Sequence, residues 1–212
     1  MKIIKSSKKT GFSIREEDGV YYIFVDDDHV LATPGGNDVY TAFKPIALRL
    51  LKDLEKYGYE YTNIASILSW HFTTIDNFAP RGEEKIVEIL DDCFLKRFDW
   101  TLHCSAPDPH IMMNWLNVFG SPDKVPQELR KWLEGLTIMQ LSAACCVANQ
   151  YKSLNVAYVF SLLTDKIAKE NFKEAVKDFV DFFTMVAPSL ATRKELMDDI
   201  KTFKLYYEQT KK

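Results

Sequence analysis

The sequence predicts an α+β protein, in which a small N-terminal β lobe is followed by a predominantly α-helical bundle domain. Residues 20–25, VYYIFV, are aromatic and β-branched, and an acidic turn and a second short apolar run to Ala32 follow them. Such runs around an Asp-rich turn are typical of a β-hairpin. From Tyr40 onward, apolar residues recur instead at the spacing of helix faces. We therefore expect a β-rich lobe at residues 1–40 and a bundle of six to eight helices at residues 41–212.

The composition is that of an ordinary soluble, intracellular globular protein. Hydrophobic residues make up 47% of the chain and charged residues 27%, and the formal net charge is −3. A dedicated nucleic-acid-binding protein usually has a basic excess, which this chain lacks. No apolar run approaches the length of about 20 residues that spans a bilayer. The basic residues at the start of the chain precede no signal-peptide apolar segment. We therefore expect no nucleic-acid partner and no membrane insertion.

The β lobe is expected to need support from the rest of the chain. Residues 12–14 offer a further strand, and Thr33–Pro34–Gly35–Gly36 closes the hairpin. An isolated hairpin is marginally stable in water. The lobe must therefore pack against another element or be completed by loops.

Apolar spacing predicts four helices in the first half of the helical domain. Pro45 fits the first turn of the first helix, and Thr62 or Asn63 can cap the second. The second helix ends at the breaker residues 79–82, and a short fourth helix follows the loop at residues 105–109. The predicted buried faces are Ala47, Leu50, Leu51, Leu54 and Tyr57; then Ile64, Ile67, Leu68, His71, Phe72 and Ile75; then Ile86, Ile89, Leu90, Cys93 and Phe94; and finally Met112, Trp115, Leu116 and Phe119.

The second half of the chain predicts one long helix and three shorter ones. The long helix begins at Pro126 and continues through Val147. Ser153 can cap the next helix, which we expect to end near Phe172, and two helices separated at Pro188 complete the chain. The neighbouring carboxylates of Asp91–Asp92 and Asp198–Asp199 split across helix surfaces, so we expect them to lie on solvated faces.

One short polar group interrupts an apolar helix and is the candidate for catalysis. His71, Thr73 and Asp76 lie within the stretch ILSWHFTTIDNF. A lone histidine on an apolar face is usually a core residue with one hydrogen bond, and a threonine near a helix end usually bonds the backbone. No nucleotide-binding, zinc-protease or serine-hydrolase motif is present in the chain. An enzyme that uses His71 and Asp76, or the loop from His103 to His110, remains the alternative.

The four cysteines favour packing roles over a metal site. Cys145 and Cys146 are adjacent, so they face different directions on a helix. A zinc site could recruit Cys93, Cys104 and the two histidines His103 and His110, but these intervals match no common ligand pattern. We therefore expect reduced thiols, no metal and no cofactor.

Several segments resemble one family in the same order along the chain. Thr73–Thr74–Ile75–Asp76 is similar to a Thr-Ala-Ile-Asp signature, and Thr33–Pro34 follows the turn at residues 27–29 where the family has Thr-Pro. Pro45 precedes an Ala/Leu-rich helix, as in the family, and residues 108–120 resemble its Asp-Pro to Phe-Gly segment. The family is the Atp-twelve family, the assembly chaperones of the catalytic head of the F-type ATP synthase. The chain departs from it at Lys52–Asp53, where the family has Glu-Trp, and in an extra segment at residues 173–190.

The resemblance implies a non-enzymatic function. A member of this family binds the unassembled ATP synthase α subunit and shields its interface until the β subunit replaces the chaperone. The resemblance places the family's functional glutamate on Glu170, which continues an apolar stripe through Ile167. The candidate partner-binding residues are therefore Glu170, Ile167, Asp76 and Thr73. We expect a monomer in the bacterial cytoplasm, or in the mitochondrial matrix of a eukaryote. A helical adaptor with an unrelated protein partner is the other non-enzymatic alternative.

Overall fold

The computed structural model describes residues 2–5, 11–26, 28–59, 67–95, 125–151, 153–165, 171–186, 189 and 191–208. Contacts divide the chain into two compact units, Met1–Arg81 and Gly82–Lys212. The first unit contains all the described strands together with two helices, and the second is helical. The predicted α+β class, with a small β sheet ahead of a helical region, is confirmed. The predicted domain boundary at residue 40 stays a prediction.

The sheet of the first unit is antiparallel and has five strands. These are β1 (Lys2–Lys5), β2 (Phe12–Glu17), β3 (Val20–Val25), β4 (His29–Val30) and β5 (Tyr40–Thr41). Strands β1 to β4 pair in sequence order, and β5 pairs with the N-terminal part of β3. The strand predicted at residues 20–25 is confirmed, and the one suggested at residues 12–14 extends to Glu17. Strand β1 was not predicted from the basic start of the chain.

The turn between β2 and β3 uses the two residues that adopt positive φ most readily. Asp18 has φ 50° and Gly19 has φ 81°. Two-residue hairpin turns with positive φ at both positions match the twist of the flanking strands, and Asp-Gly is a preferred pair for them. The turn fixes a register in which Glu17 pairs with Val20 and Ile14 pairs with Ile23, both of these isoleucines being fully buried.

Two helices pack with this sheet and complete the core of the first unit. Helix α1 is Lys44–Tyr57, and helix α2 is Ile67–Thr73, which continues as a π-helical turn at Thr74–Phe78. Asp53 on α1 accepts a hydrogen bond from the backbone N–H of Ile67, 3.2 Å away, and so caps the first turn of α2. The predicted caps Thr62 and Asn63 lie outside the described residues. The buried apolar side chains are Ile14, Ile23, Phe24, Leu31, Val39, Ile46, Ala47, Leu50, Leu51, Leu54, Ile67, Leu68, Trp70 and Phe72.

The second unit contains six described helices. They are α3 (Glu83–Leu90), which continues as a π-helical turn at Asp91–Leu95, α4 (Val125–Glu134), α5 (Ile138–Tyr151), α6 (Leu154–Asp165), α7 (Phe172–Val186) and α8 (Arg193–Glu208). The short helix predicted at residues 112–119 lies outside the described residues. Among the described residues, no helix combines the length and the apolar character needed to cross a bilayer.

The prediction of one long helix from Pro126 through Val147 is wrong, because the chain breaks at Gly135. The N–H groups of Gly135 and Leu136 bond to carbonyls three residues back, a tighter turn that ends α4. Thr137 then starts α5, and its N–H donates to Gln140 Oε1 at 3.0 Å. This Thr-x-x-Gln pattern is half of a capping box. It was present in the sequence but was overlooked within the continuous apolar pattern.

Four other details of the sequence prediction are corrected. Tyr57 is 37% exposed rather than on the buried face of α1, because it lies in the last turn of the helix. Cys93 is exposed rather than packed beside Ile86 and Leu90, because the π-helical turn changes the helical periodicity after Leu90. Phe172 begins α7 and does not end the preceding helix. Asp199, which we placed on a solvated face, is fully buried.

Candidate functional site

The predicted site residues are divided between described and undescribed parts of the chain. Thr73 and Asp76 are described, as is His71 from the enzymatic alternative. Glu170, Ile167 and the loop from His103 to His110 lie outside the described residues, and their proposed roles stay predictions. Of the predicted site, the structure therefore describes the residues at the end of α2 and the loop that contacts them.

The Asp76 carboxylate binds the loop that follows the β-hairpin. Thr33 Oγ1 donates to Asp76 Oδ1 at 2.5 Å, and the amide of Asn37 donates to the same oxygen at 2.8 Å. The backbone N–H of Gly35 donates to Oδ2 at 2.9 Å. Both carboxylate oxygens are thus engaged by one loop, whose residues lie about forty positions earlier in the sequence. We call Thr33, Gly35, Asn37 and Asp76 the Asp76 cluster.

The loop approaches Asp76 so closely that position 35 has no room for a side chain. A Cβ added to Gly35 would lie 2.7 Å from both Cγ and Oδ1 of Asp76. Contacts shorter than 3.0 Å are essentially never made by real Cβ atoms, so a larger residue would displace the carboxylate. Thr33 also accepts a hydrogen bond from the N–H of Asn37 at 3.1 Å, which closes the loop on itself. Glycine is therefore required here for close approach rather than for an unusual φ.

The hydrogen bonds also set the charge of Asp76. Burial acts to raise the pKa of this carboxyl group, but the bonds from Thr33, Asn37 and Gly35 together outweigh it, so the pKa lies below its usual value. Donors that point at a carboxylate stabilise its ionised form. Asp76 is therefore an anion that accepts hydrogen bonds at neutral pH.

His71 is a neutral core residue. It is buried, and its Nε2 lies 2.7 Å from the carbonyl oxygen of Tyr40 on β5. Because a carbonyl can only accept, Nε2 carries the proton and donates it. Burial lowers the pKa of His71 to about 4, although the bond to Tyr40 opposes this effect. The interpretation of His71 as a core histidine is confirmed.

The Asp76 cluster is built to join two parts of a fold. The loop supplies two hydrogen bonds to Asp76 Oδ1 and one to Oδ2, which occupy three of the roughly four acceptor positions of the carboxylate. Thr73 is half-buried, one residue before the π-helical turn. Thr33, Gly35 and Asn37 were not predicted as partners of Asp76, although the sequence showed Thr33 and Gly35 in the segment that closes the hairpin.

Exposed apolar side chains are another feature of the first unit. Tyr40 is 49% exposed, Leu48 42% and Tyr59 45%, and Ile3 and Tyr57 are also exposed. Leu48 lies on the outer face of α1 with the exposed Lys44 and Lys52, four residues before and after it. Single exposed apolar side chains are common on protein surfaces, whereas contiguous patches of them mark interaction sites.

The second unit has an open groove with a volume of about 630 Å³. Its walls are mostly acidic, and Arg130 lies 3.4 Å from Asp91 and 3.1 Å from Glu134. The groove contains neither His71 nor Asp76, and no group of three or more metal-binding side chains occurs among the described residues. Its lining residues are Glu84, Val87, Glu88, Asp91, Asp92, Arg130, Leu133, Glu134 and Leu136.

Substitution of Asp76 tests its structural role. Asp76→Ala removes three hydrogen bonds to a charged group, so we expect the free energy of unfolding of the first unit to fall by about 2 to 4 kcal/mol. Urea unfolding combined with hydrogen exchange over residues 67–78 measures the loss. Asn77→Ala, at the exposed neighbouring position, is the matched control and should remain within about 0.5 kcal/mol of wild type. An Asp76→Ala protein as stable as this control would contradict the structural role.

The pH dependence of stability tests the state of His71. Its pKa is 6.5 when unfolded and about 4 when folded, so the unfolded chain binds more protons between these values. Stability of the first unit should therefore be complete above about pH 6.5 and fall by about 3 kcal/mol as the pH drops to about 4. His71→Gln keeps a donor for Tyr40 and should remove this contribution. His29→Gln, at an exposed position, should keep it, and equal pH profiles for the two variants would refute the assignment.

Comparison with known proteins finds a similarity of fold. No protein-family model and no curated protein matches the sequence. The structure is similar to the crystal structure of the Atu1473 protein, named as "a putative chaperone from Agrobacterium tumefaciens", with a TM-score of 0.59. The match covers 95% of this chain and 85% of that chain at 17% sequence identity. At this identity the match shows that the two proteins share a fold.

Proposed function

We propose that this protein is a non-enzymatic assembly chaperone of the Atp-twelve type, which binds the unassembled ATP synthase α subunit until the β subunit replaces it. The observation that carries the proposal is the shared fold along 95% of the chain with a protein named as a chaperone. The order of family-like segments in the sequence supports it independently. The client itself is inferred from the family resemblance.

The physical basis is the interface that an unassembled ring subunit exposes. Such an interface is normally covered by neighbouring subunits, and an exposed apolar patch aggregates. A protein that covers the patch stabilises the soluble client by mass action and yields when the true neighbour binds more tightly. The exposed Tyr40, Leu48, Tyr57 and Tyr59 offer apolar contacts for this purpose. The proposed location is the bacterial cytoplasm or the mitochondrial matrix, where the client is made or imported.

The enzymatic alternative draws little support from the described residues. His71 and Asp76 do not form an acid–base pair, because His71 bonds to the Tyr40 carbonyl and Asp76 to the loop at residues 33–37. Catalysis by imidazole also works best with a pKa near the operating pH, whereas burial lowers the pKa of His71 to about 4. A protein-binding role needs no such pair.

Co-expression with the α subunit tests the proposal. We expect the α subunit, expressed without the other subunits of the ATP synthase, to become more soluble in the presence of this protein and to co-purify with it. The β subunit, expressed in the same way, is the matched control client and should gain nothing. An α subunit that stays insoluble and does not co-purify would contradict the assignment of the client. Equal effects on α and β would favour an adaptor or a general chaperone.

A pair of surface variants tests which unit contacts the client. Leu48→Glu places a charge at an exposed apolar position of the first unit, and we expect it to weaken client binding about tenfold or more. Met185→Glu makes the same kind of change at a 66% exposed position of the second unit and should leave binding unchanged. Affinity measured by surface plasmon resonance distinguishes the two. A loss only with Met185→Glu would exclude the first unit as the contact surface, and equal losses would contradict a contact confined to the first unit.

A further inference from the structure

Asp199 is a buried carboxylate whose hydrogen bonds are incomplete. It lies on α8 with none of its surface exposed. Gln150 Nε2 on α5 donates to Asp199 Oδ2 at 2.6 Å, and the hydroxyl of Tyr151 donates to the same oxygen. Among the described residues, Asp199 Oδ1 and Gln150 Oε1 are buried without a hydrogen-bond partner. A buried polar atom without a partner costs free energy, so this arrangement is unfavourable for an ionised carboxylate.

Three of the four cations on α8 are engaged with other carboxylates, and the fourth, Lys194, is exposed. Arg193 pairs with Asp181. Lys201 lies 3.4 Å from Asp198, and Lys204 lies 2.9 Å from Glu208. A buried carboxylate is normally retained in its ionised form by a paired cation. Within the described part of the chain, Asp199 has no such cation.

The groups that act on Asp199 from the surrounding helices are neutral or acidic. From α5 they are Gln150 and Tyr151, and from α8 itself they are Glu195 and Asp198, whose negative charges oppose ionisation. Helices α6 and α7 also pack against α8. Their described titratable residues, which are Tyr158, Asp165, Lys173, Glu174, Lys177, Asp178 and Asp181, do not contribute to the charge balance at Asp199.

The carboxylate is connected through Tyr151 to the aromatic core of the second unit. The Tyr151 ring packs edge-on against Phe160, with centroids 6.0 Å apart, and against Phe183 at 5.5 Å. Phe160 in turn packs edge-on against Phe203 of α8 at 5.6 Å. A charge at Asp199 therefore acts at the contact through which α8 is packed onto α5 and α6.

We propose that Asp199 is a proton-operated switch that controls how tightly α8 is packed onto α5. With the carboxyl group ionised, an uncompensated charge is buried between the two helices. When Asp199 takes up one proton from solvent, the charge is removed and the group can donate a hydrogen bond. Rotation of the Gln150 amide by half a turn then presents its carbonyl oxygen as the acceptor, an oxygen that has no partner among the residues that the structure describes. The helical unit is thus held less tightly at neutral pH than in mild acid.

The direction of the pH effect follows from proton binding. Burial, as the largest influence, raises the pKa of Asp199 from 3.8 to about 6, although the bonds from Tyr151 and Gln150 oppose this. The folded unit therefore binds more protons than the open one between these two values. The stabilisation is complete below about pH 4 and is lost as the pH rises through about 6. This direction is opposite to that expected for His71 in the first unit.

Hydrogen exchange of α8 in the full-length protein measures the switch. After correction for intrinsic exchange, we expect the opening equilibrium constant of residues 193–208 to be about tenfold larger at about pH 7.5 than at about pH 5. Asp199→Asn should reduce opening at about pH 7.5 and make it independent of pH. Asp198→Asn, at the solvent-accessible neighbour that pairs with Lys201, is the matched control. It should keep the pH response, with the midpoint moved only slightly to lower pH because one charge that opposes ionisation of Asp199 is removed.

A second variant keeps the test decisive if Asp199→Asn fails to fold. Tyr151→Phe removes a donor to the ionised carboxylate, so the midpoint of the pH response should move to a higher pH. The carboxyl carbon of Asp199, followed by NMR in the wild-type protein, should titrate with the same midpoint as α8 opening. Opening that does not change between the two pH values, or a carboxyl group that titrates below about pH 5, would overturn the proposal.

Discussion

The fold of the first unit depends on the carboxylate of Asp76 and the three donors that surround it. The Asp76 carboxylate joins the loop at residues 33–37 to the end of the second helix, because it accepts hydrogen bonds from Thr33, Gly35 and Asn37. A charged acceptor makes stronger hydrogen bonds than a neutral one, and its two oxygens can serve several donors at once. The absence of a side chain at Gly35 allows the backbone itself to take part. Asp76 thereby adds a polar connection to the apolar core that the sheet shares with α1 and α2.

This use of Asp76 changes how the polar residues in α2 are interpreted. From the sequence, a core position for His71 and backbone bonding for the threonines were the favoured interpretations, and catalysis was the alternative. In the folded chain, His71 and Asp76 both bind segments of the sheet region, His71 through the Tyr40 carbonyl and Asp76 through the loop. The hydrogen bonds of these two side chains therefore account for the polar residues in this stretch by folding. The exposed apolar side chains of the first unit are consistent with a protein-binding role.

The sequence allowed the architecture to be predicted better than the details of charge and helix ends. Period-two and helical spacings depend on local geometry, so the strand at residues 20–25 and the face of α1 from Ala47 to Leu54 were found. The partners of Asp76 could not be predicted, because they are decided by a contact across about forty residues. Asp199 was misplaced because adjacent aspartates suggested a solvated surface. Its spacing from Leu196 and Phe203 on the buried stripe of α8 was the signal that was overlooked. The break at Gly135 was missed because apolar residues continue on both sides of it.

In the proposed function, the protein binds the unassembled ATP synthase α subunit and dissociates when the β subunit replaces it. Native mass spectrometry of a purified complex with the ATP synthase α subunit, followed by addition of the β subunit, tests this directly. We expect this protein to form a complex with the α subunit alone and to be released as α–β assemblies form. A protein that never binds the α subunit, or that remains attached once the β subunit is in place, would contradict it.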